Sequence, residues 1–186
     1  MKLLVHDDFF DSPDDIRKIA LSLKYTTHEA MEEETHSSGW KGCRSKKLIS
    51  YDKVFLYMCE QKIMKAVKEF YNDKKLFMNS YFHFTYDKTK YSSPDFGFEK
   101  YHRDYILYAG LVYLTPNAPR DAGTSILNGN ENKIVNVENV YNRLICYSGN
   151  YIHAVSDTFG ETNEDARLTL TFFIDKKPLP DEGNPR

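Results

Sequence analysis

The sequence has few cysteines, no long apolar run and almost no excess of charge. Its three cysteines, Cys43, Cys59 and Cys146, are scattered and lack the CxxC spacing of a zinc site or a disulfide framework. They predict reduced thiols in a cytoplasmic protein. The apolar run at the amino terminus is too short for a signal peptide, and no stretch approaches membrane-spanning length. We therefore expect neither a secretory leader nor a membrane span.

The balance of charge argues against nucleic acid as a partner. Lysine and arginine number 25 against 27 acidic residues, which gives a formal net charge of −2. Proteins that bind nucleic acid by neutralising phosphates normally carry a basic surplus. The clearest basic cluster is a local one, at Lys41, Arg44, Lys46 and Lys47. We expect a partner of another class.

Short alternating segments predict a mainly β fold preceded by two helices. A chain of 186 residues with 41% hydrophobic content can bury one core, so we expect a single domain over 1–186. Ser12 and Pro13 predict the start of the first helix, and a cap at Asp52 predicts a second helix that runs to about Tyr71. Many short strands separated by turns follow. They fit a jelly roll, or double-stranded β-helix, better than a parallel sheet.

The most informative stretch for chemistry is Tyr101-His102-Arg103-Asp104-Tyr105, which predicts a β-strand. Because strand side chains alternate, His102 and Asp104 share one face. Two histidines and one carboxylate form the facial triad that binds non-haem Fe(II). About fifty residues later, His153 lies on another predicted strand and is the best candidate for the third ligand. The sequence therefore predicts an iron site at His102, Asp104 and His153.

The other histidines fit a metal site less well. His6-Asp7-Asp8 repeats the His-x-Asp spacing, but no histidine and arginine follow it at the same distances as those beyond His102. His28 and His36 fall in a polar region without partners at ligand spacing. His83, on an aromatic strand predicted over Leu76 to Tyr86, fits a hydrogen-bonded histidine better than a ligand. We expect none of the four to bind metal.

Three further features accompany the His-x-Asp pattern. Arg167 opens an apolar strand fourteen residues after His153. Tyr113-Leu114-Thr115-Pro116 and Ala122-Gly123-Thr124 lie between the two histidines. With these motifs the chain resembles the 2-oxoglutarate- and Fe(II)-dependent dioxygenases, whose Tyr-Leu-x-Pro strand and Gly-Gly-Thr-like turn they match, except that alanine replaces the first glycine. The resemblance covers roughly residues 76 to 175, and it is closest to the small prolyl-hydroxylase-like and phage-type members.

The resemblance implies an architecture and a set of cofactors. Residues 11–75 would form a helical support packed outside one sheet, and about 76–175 the jelly-roll core. The cofactors implied are Fe(II), 2-oxoglutarate as co-substrate and O2, with ascorbate as an accessory. Arg167 would grip the far carboxylate of 2-oxoglutarate bidentately, and Tyr113 and Thr169 would add hydroxyl groups. Turnover would release succinate and CO2.

The substrate is the part that the sequence leaves open. A protein side chain, as in prolyl hydroxylation, and a small molecule both fit. Four residues mark a candidate substrate loop: Trp40, Arg44, Phe96 and Arg120. Trp40 fits a plug at one end of the core at least as well, and Phe96 an ordinary surface loop. The alternative function is a non-catalytic jelly-roll protein that binds metal or ligand. Nucleic-acid demethylation is disfavoured by the net charge and by the lack of a second arginine in the Arg167 strand.

Overall fold

Two helices and ten strands make up the described part of the chain. The structure is a computed structural model that describes residues 1–27, 42–87, 101–128 and 133–179. Helix α1 spans Pro13–Leu21, helix α2 spans Val54–Tyr71, and a turn of 3-10 helix lies at Leu48–Ser50. The strands in chain order are β1 (Leu3–His6), β2 (Tyr25–Thr27), β3 (Cys43–Ser45), β4 (Phe77–Thr85), β5 (Tyr108–Tyr113), β6 (Thr124–Asn128), β7 (Lys133–Val137), β8 (Leu144–Ser148), β9 (Ile152–Val155) and β10 (Arg167–Asp175). The expected mainly β chain with two helices is confirmed.

The described strands form two antiparallel sheets. The larger has seven strands in the order β1-β8-β5-β10-β4-β3-β2, and the smaller has three in the order β7-β6-β9. Every pair in both sheets is antiparallel. The strands β5 and β10, which flank each other at the centre of the larger sheet, are therefore paired on both sides. This places the ends of these strands in fixed register.

The alternation of β10 shows how the layers are ordered. Leu168, Leu170 and Phe172 are buried on one face, in the same apolar cluster as Ile16 of α1 and Ile63 of α2. Burial of each such side chain stabilises the fold by roughly 1.5–3 kcal/mol. The other face of the larger sheet meets the smaller sheet. The side chains between the two sheets, which we call the inter-sheet layer, include Ala109, Leu111, Tyr113, Ile126, Val137, Ile145 and Tyr147.

The helices begin differently from the prediction. Pro13 is the first residue of α1, as expected, but the Ser12 side chain makes no capping hydrogen bond. Helix α2 begins at Val54 rather than directly after Asp52, and it too has no side-chain cap. It ends at Tyr71, as predicted, where Asn72 adopts the left-handed conformation with φ of 58°. A side-chain cap therefore accounts for the start of neither helix.

The prediction of a regular strand over 101–105 is wrong. His102 forms an isolated bridge with His153, and the regular strand β5 begins only at Tyr108. Tyr105 has a positive φ of 53°, which interrupts an extended strand. The segment is instead held by a few specific hydrogen bonds. Strand β7 was not assigned from the sequence, whereas β4, β9 and β10 lie where strands are predicted.

The structure bears on the membrane-spanning helix and the disulfide bonds that the sequence does not predict. Among the described residues, no helix combines the length and the hydrophobicity that crossing a bilayer requires. The three cysteines form no disulfide bond.

Candidate functional site

A reciprocal backbone bridge joins the two histidines of the predicted triad. The His102 N–H donates to the His153 carbonyl at 3.0 Å, and the His153 N–H donates to the His102 carbonyl at 3.0 Å. His153 lies on β9, at the edge of the smaller sheet, opposite Ile126 of β6. The segment of His102 therefore extends that sheet by one bridge. Two residues far apart in the sequence meet because of backbone pairing.

Asp104 is held beside them by a second backbone contact. Its N–H donates to the Gly149 carbonyl at 3.0 Å. A Cβ atom at residue 149 would lie 2.6 Å from both the Cγ1 atom and the carbonyl oxygen of Ile106, so only glycine permits this close approach. The tight turn before β9 thus positions the carboxylate as well as His153.

The three side chains converge on one point. One ligand atom from each of His102, Asp104 and His153 lies within 4.8 Å of the others. The His102 Nε2 is 3.5 Å from Asp104 Oδ1, and the His153 Nε2 is 3.3 Å from Asp104 Oδ2. The His102 side chain is 49% exposed, whereas those of Asp104 and His153 are 14% and 8% exposed. The group is thus open on one side only.

The hydrogen bonds of His153 determine which ring nitrogen faces the carboxylate. Its Nδ1 lies 3.0 Å from the carbonyl oxygen of Tyr151, which can only accept, so Nδ1 carries the hydrogen. Nε2 of a neutral ring then directs a lone pair at Asp104. Oδ2 of Asp104 is fully enclosed and has no hydrogen-bond partner. Two electron-pair donors that face each other in a buried site fit a shared cation.

Electrostatics favour the ionised carboxylate. Burial acts to raise the pKa of Asp104, but N–H donation and positive charge from the imidazoles of His102 and His153, when these are protonated, lower it more, so its pKa lies below the usual range. An ionised carboxylate and neutral imidazole nitrogens are the donor set of the facial triad. The residues present therefore fit a divalent metal such as Fe(II).

Arg167 forms the second part of the site. It opens β10, is 2% exposed and is held by backbone oxygens: its Nε donates to the Ala122 carbonyl at 3.1 Å and its Nη2 to the Gly123 carbonyl at 3.3 Å. The Thr124 hydroxyl lies 3.5 Å from Nη2. Burial lowers the pKa of Arg167, but a guanidinium remains charged in proteins. No acidic side chain of the described residues forms an ion pair with it, so a buried positive charge is left for an anion.

Tyr113 and Thr169 flank this guanidinium. The Arg167 guanidinium carbon lies 5.3 Å from the centre of the Tyr113 ring, and the Tyr113 hydroxyl is 2.7 Å from the Thr124 hydroxyl. Thr169 is on the same face of β10 and pairs with Tyr113 across the strands. Its hydroxyl bonds to that of Thr171 at 2.9 Å. The structure therefore brings Tyr113 next to Arg167. The Thr169 hydroxyl, two residues further along β10, is hydrogen-bonded to Thr171 instead.

The four residues predicted to contact substrate lie in different environments. Arg44 is not on a surface loop: it lies on β3, is 7% exposed, and its guanidinium is 5.1 Å from the Tyr81 ring centre and 5.7 Å from that of Phe173. Arg120 is exposed and pairs with Glu138 at 2.9 Å. Its neighbours line a surface depression of about 590 Å³, to which none of the triad residues contributes. Trp40 and Phe96 lie outside the described residues.

The remaining histidines divide between described and undescribed parts. His28 and His36 lie outside the described residues. His6 is exposed and faces Phe9 at 5.4 Å between ring centres. His83 pairs with Arg44 and Thr169 within the larger sheet. Within the described ranges, the triad is the sole group of three or more metal-ligating side chains that is close enough to hold an ion.

Sequence reasoning missed several groups that hold the site. Thr124 contacts both Tyr113 and Arg167, and the carbonyl of Tyr151 sets the orientation of His153. The Ala122-Gly123-Thr124 turn was predicted only as a motif, although the carbonyls of Ala122 and Gly123 accept hydrogen bonds from the Arg167 guanidinium. Every residue has a backbone carbonyl, so the sequence cannot indicate which ones bind a side chain. The hydroxyl-bearing Thr124 was the one residue of the turn whose type pointed to such a contact.

The fold is shared with solved structures of known oxygenases. A prolyl-4-hydroxylase from Pseudomonas putida matches with a TM-score of 0.62 at 16% identity, over 95% of this chain and 93% of that one. HygX from Streptomyces hygroscopicus, solved with nickel, 2-oxoglutarate and hygromycin B, matches with a TM-score of 0.64 at 15% identity, over 94% and 82%. An oxidoreductase of the 2OG-Fe(II) oxygenase family from Burkholderia pseudomallei gives 0.64 at 10% identity, over 95% and 85%. No protein-family model and no curated protein matches the sequence.

These likenesses define the class of fold. The chain has the fold of the 2-oxoglutarate- and Fe(II)-dependent oxygenases, and the resemblance expected from the sequence is confirmed at that level. The described part also contains a His-Asp-His group that could hold a metal ion. At identities of 10–16% the likeness establishes the fold alone.

Proposed function

We propose that the protein is an Fe(II)- and 2-oxoglutarate-dependent dioxygenase built on a double-stranded β-helix. It would hydroxylate its substrate and release succinate and CO2. The observation that carries the proposal is the enclosed, unpartnered Oδ2 of Asp104 between two histidines. Arg167, a buried cation without an acidic partner in the described chain, supports it from the other end of the inter-sheet layer.

His102, Asp104 and His153 would hold the iron. Two histidines and one carboxylate form a ligand set that suits non-haem Fe(II) and would leave it open to further ligands. When bound, Fe(II) supplies the activation of O2 and the oxidative decarboxylation of the 2-oxo acid. The protein orients the ligands: the Tyr151 carbonyl fixes the His153 ring, and Gly149 fixes the backbone of Asp104. The exposed side of His102 leaves a path for substrate.

Arg167 would bind the far carboxylate of 2-oxoglutarate. Its Nε and Nη2 are engaged by backbone carbonyls, which fix the plane of the guanidinium and leave Nη1 to an incoming anion. Tyr113 would add its phenol to the same carboxylate. Thr169, on the same face of the strand, would contribute a hydroxyl close by. Desolvation of the guanidinium strengthens the attraction between the two charges.

The substrate would be a protein side chain, as for a prolyl hydroxylase, or a small molecule. Support for the first comes from the prolyl-4-hydroxylase whose fold this chain shares, and for the second from HygX, which was solved with hygromycin B. Comparing a proteome treated with active enzyme against one treated with His102→Ala by mass spectrometry would identify a protein substrate by the gain of one oxygen atom. A gain restricted to small metabolites would identify the other class.

Conversion of 2-oxoglutarate to succinate tests the proposal. Purified protein should form succinate only with Fe(II) and O2, and His102→Ala should lose at least about a hundredfold of that rate, since even outer partners of a metal ligand contribute up to that factor. His6→Ala is the matched control, because His6 belongs to the other His-x-Asp motif and lies outside the site. We expect this variant to retain the wild-type rate.

Two results would contradict the proposal in different ways. If the Ni²⁺-loaded protein did not bind 2-oxoglutarate, the proposed dioxygenase function would be wrong. Binding without succinate formation, in the presence of cell extract as a source of substrate, would identify the non-catalytic ligand-binding protein instead.

A further inference from the structure

Tyr147 is a buried tyrosine on β8. It is 3% exposed and packs in the inter-sheet layer. Its hydroxyl forms no hydrogen bond with any residue in the part of the chain that the structure describes. Buried tyrosine hydroxyls usually have a partner. Tyr108 and Tyr113, on the neighbouring strand, follow this rule: their hydroxyls bond to Asp73 at 2.6 Å and to Thr124 at 2.7 Å.

The hydroxyl oxygen of Tyr147 is not sealed by its neighbours. The described polar atoms that are both fully enclosed and unpartnered include Oδ2 of Asp104 but not this oxygen. The small surface that Tyr147 retains must therefore include the oxygen itself. A phenol that is buried along its ring and open at its tip is suited to donate to a bound ligand.

Tyr147 lies against the metal end of the proposed site, which is formed by His102, Asp104 and His153. Its ring centre is 4.8 Å from that of His153. An ordinary phenol is protonated at neutral pH, so the hydroxyl of Tyr147 can donate a hydrogen bond to a ligand.

We propose that the Tyr147 hydroxyl donates a hydrogen bond to the 2-oxo acid head of the bound co-substrate. This makes Tyr147 a positioning residue at the metal end, as Tyr113 is at the distal end, and it rests on the proposed function. The head, rather than the distal carboxylate, is the acceptor because the ring packs on His153 and because Arg167 and Tyr113 already surround the other end. The interaction would fix the rotation of the head about the metal.

Three tyrosine-to-phenylalanine variants and two ligands test this placement. Tyr147→Phe, Tyr113→Phe and Tyr108→Phe are titrated in the Ni²⁺-loaded state, where no turnover occurs. The ligands are 2-oxoglutarate and 2-oxobutyrate, which has the same head but no distal carboxylate, with affinity for the weaker ligand measured by competition. Each substitution removes one oxygen atom. Tyr108→Phe is the control, because its hydroxyl bonds to Asp73 outside the inter-sheet layer.

The expected pattern separates the two ends. Tyr147→Phe should weaken both ligands about tenfold, the effect of a hydrogen bond to a charged group. Tyr113→Phe should weaken 2-oxoglutarate alone, and Tyr108→Phe neither. Because the Tyr147 hydroxyl has no hydrogen-bond partner among the described residues, Tyr147→Phe should unfold at the wild-type temperature or higher, whereas Tyr108→Phe should unfold at a lower one.

Two outcomes overturn the inference. If Tyr147→Phe binds both acids as the wild type does, the hydroxyl does not contact the co-substrate. If it loses affinity for 2-oxoglutarate alone, the hydroxyl contacts the distal carboxylate and its placement at the head is wrong. Either result leaves the proposed function intact, which fails only if the wild type itself does not bind 2-oxoglutarate.

Discussion

The two ends of the inter-sheet layer hold their charged groups in different ways. At the metal end, His102 is half exposed and lies on a segment joined to the smaller sheet by a single bridge. At the other end, Arg167 is 2% exposed and opens a nine-residue strand that is paired on both sides. A metal that must exchange ligands needs access, whereas an anchor for a carboxylate gains strength from exclusion of water. The fold provides the first with loops and the second with central strands.

Replacing Arg167 by lysine tests the buried end. Lysine keeps the charge but lacks the planar fork that bonds two backbone carbonyls and still reaches a ligand. We expect Arg167→Lys to weaken 2-oxoglutarate binding roughly tenfold to a hundredfold, while kcat at saturating 2-oxoglutarate stays near the wild-type value. Calorimetric titration of the Ni²⁺-loaded protein measures the first, and succinate formation the second.

Arg120→Lys serves as the control for that substitution. Arg120 is exposed and bonds to Glu138, so the same chemical change there should leave 2-oxoglutarate affinity unaltered. If Arg167→Lys bound the co-substrate as well as the wild type does, Arg167 would not be its anchor. The contrast between the two ends would then lose its meaning.

Gly149→Ala tests the looser end without altering a metal ligand. The added Cβ would lie 2.6 Å from two atoms of Ile106, so the segment that carries Asp104 has to shift. We expect metal affinity, measured by titration with Ni²⁺ or Fe(II), to fall about tenfold, an effect typical of groups that orient ligands. Unchanged metal affinity in a variant that unfolds at a lower temperature would show that the turn supports the fold only.

The same contrast explains what the sequence could reveal. Regular strands β4, β9 and β10 were predicted because alternation is a local property. The role of Arg167 was implied by the resemblance to the oxygenases. The triad was predicted from residue types and spacing, because histidine and aspartate are metal ligands and the His-x-Asp spacing puts two of them on one face of a strand. Its three side chains do converge in the structure. Assignment of a metal to them stays a proposal.

Contacts that depend on tertiary packing could not be predicted. The 101–105 segment was expected to be a strand, yet a positive φ at Tyr105 and three backbone hydrogen bonds to residues 149 and 153 define it. Arg44 was expected on a substrate loop, but pairing of β3 with β4 turns its side chain onto the aromatic rings of Tyr81 and Phe173. Which face a short strand presents depends on the strands that it pairs with, and the sequence alone does not specify these partners.

A third buried charged residue extends the comparison beyond the inter-sheet layer. Glu60 of α2 is 6% exposed on the helical side of the larger sheet, and the Ser80 hydroxyl donates to it at 2.5 Å. Burial raises the pKa of Glu60, and the bond from Ser80 offsets this only in part. Here the fold favours the neutral form, whereas Asp104 is kept ionised and Arg167 is kept charged.

Glu60→Gln should therefore have a small effect that depends on pH. Because the pKa of Glu60 is raised on folding, its protonated form stabilises the fold fully below the ordinary value of 4.5, and this contribution is lost as the pH rises through the folded pKa. Glutamine keeps an acceptor for Ser80 and cannot ionise, so we expect the variant to gain about 1 kcal/mol of unfolding free energy at alkaline pH and little in acid. Chemical denaturation across this pH range measures it, with the exposed Glu69→Gln on the same helix as control. Parallel pH profiles for wild type and Glu60→Gln would mean that folding does not raise the pKa of Glu60, and that its burial behind the sheet does not favour the neutral form.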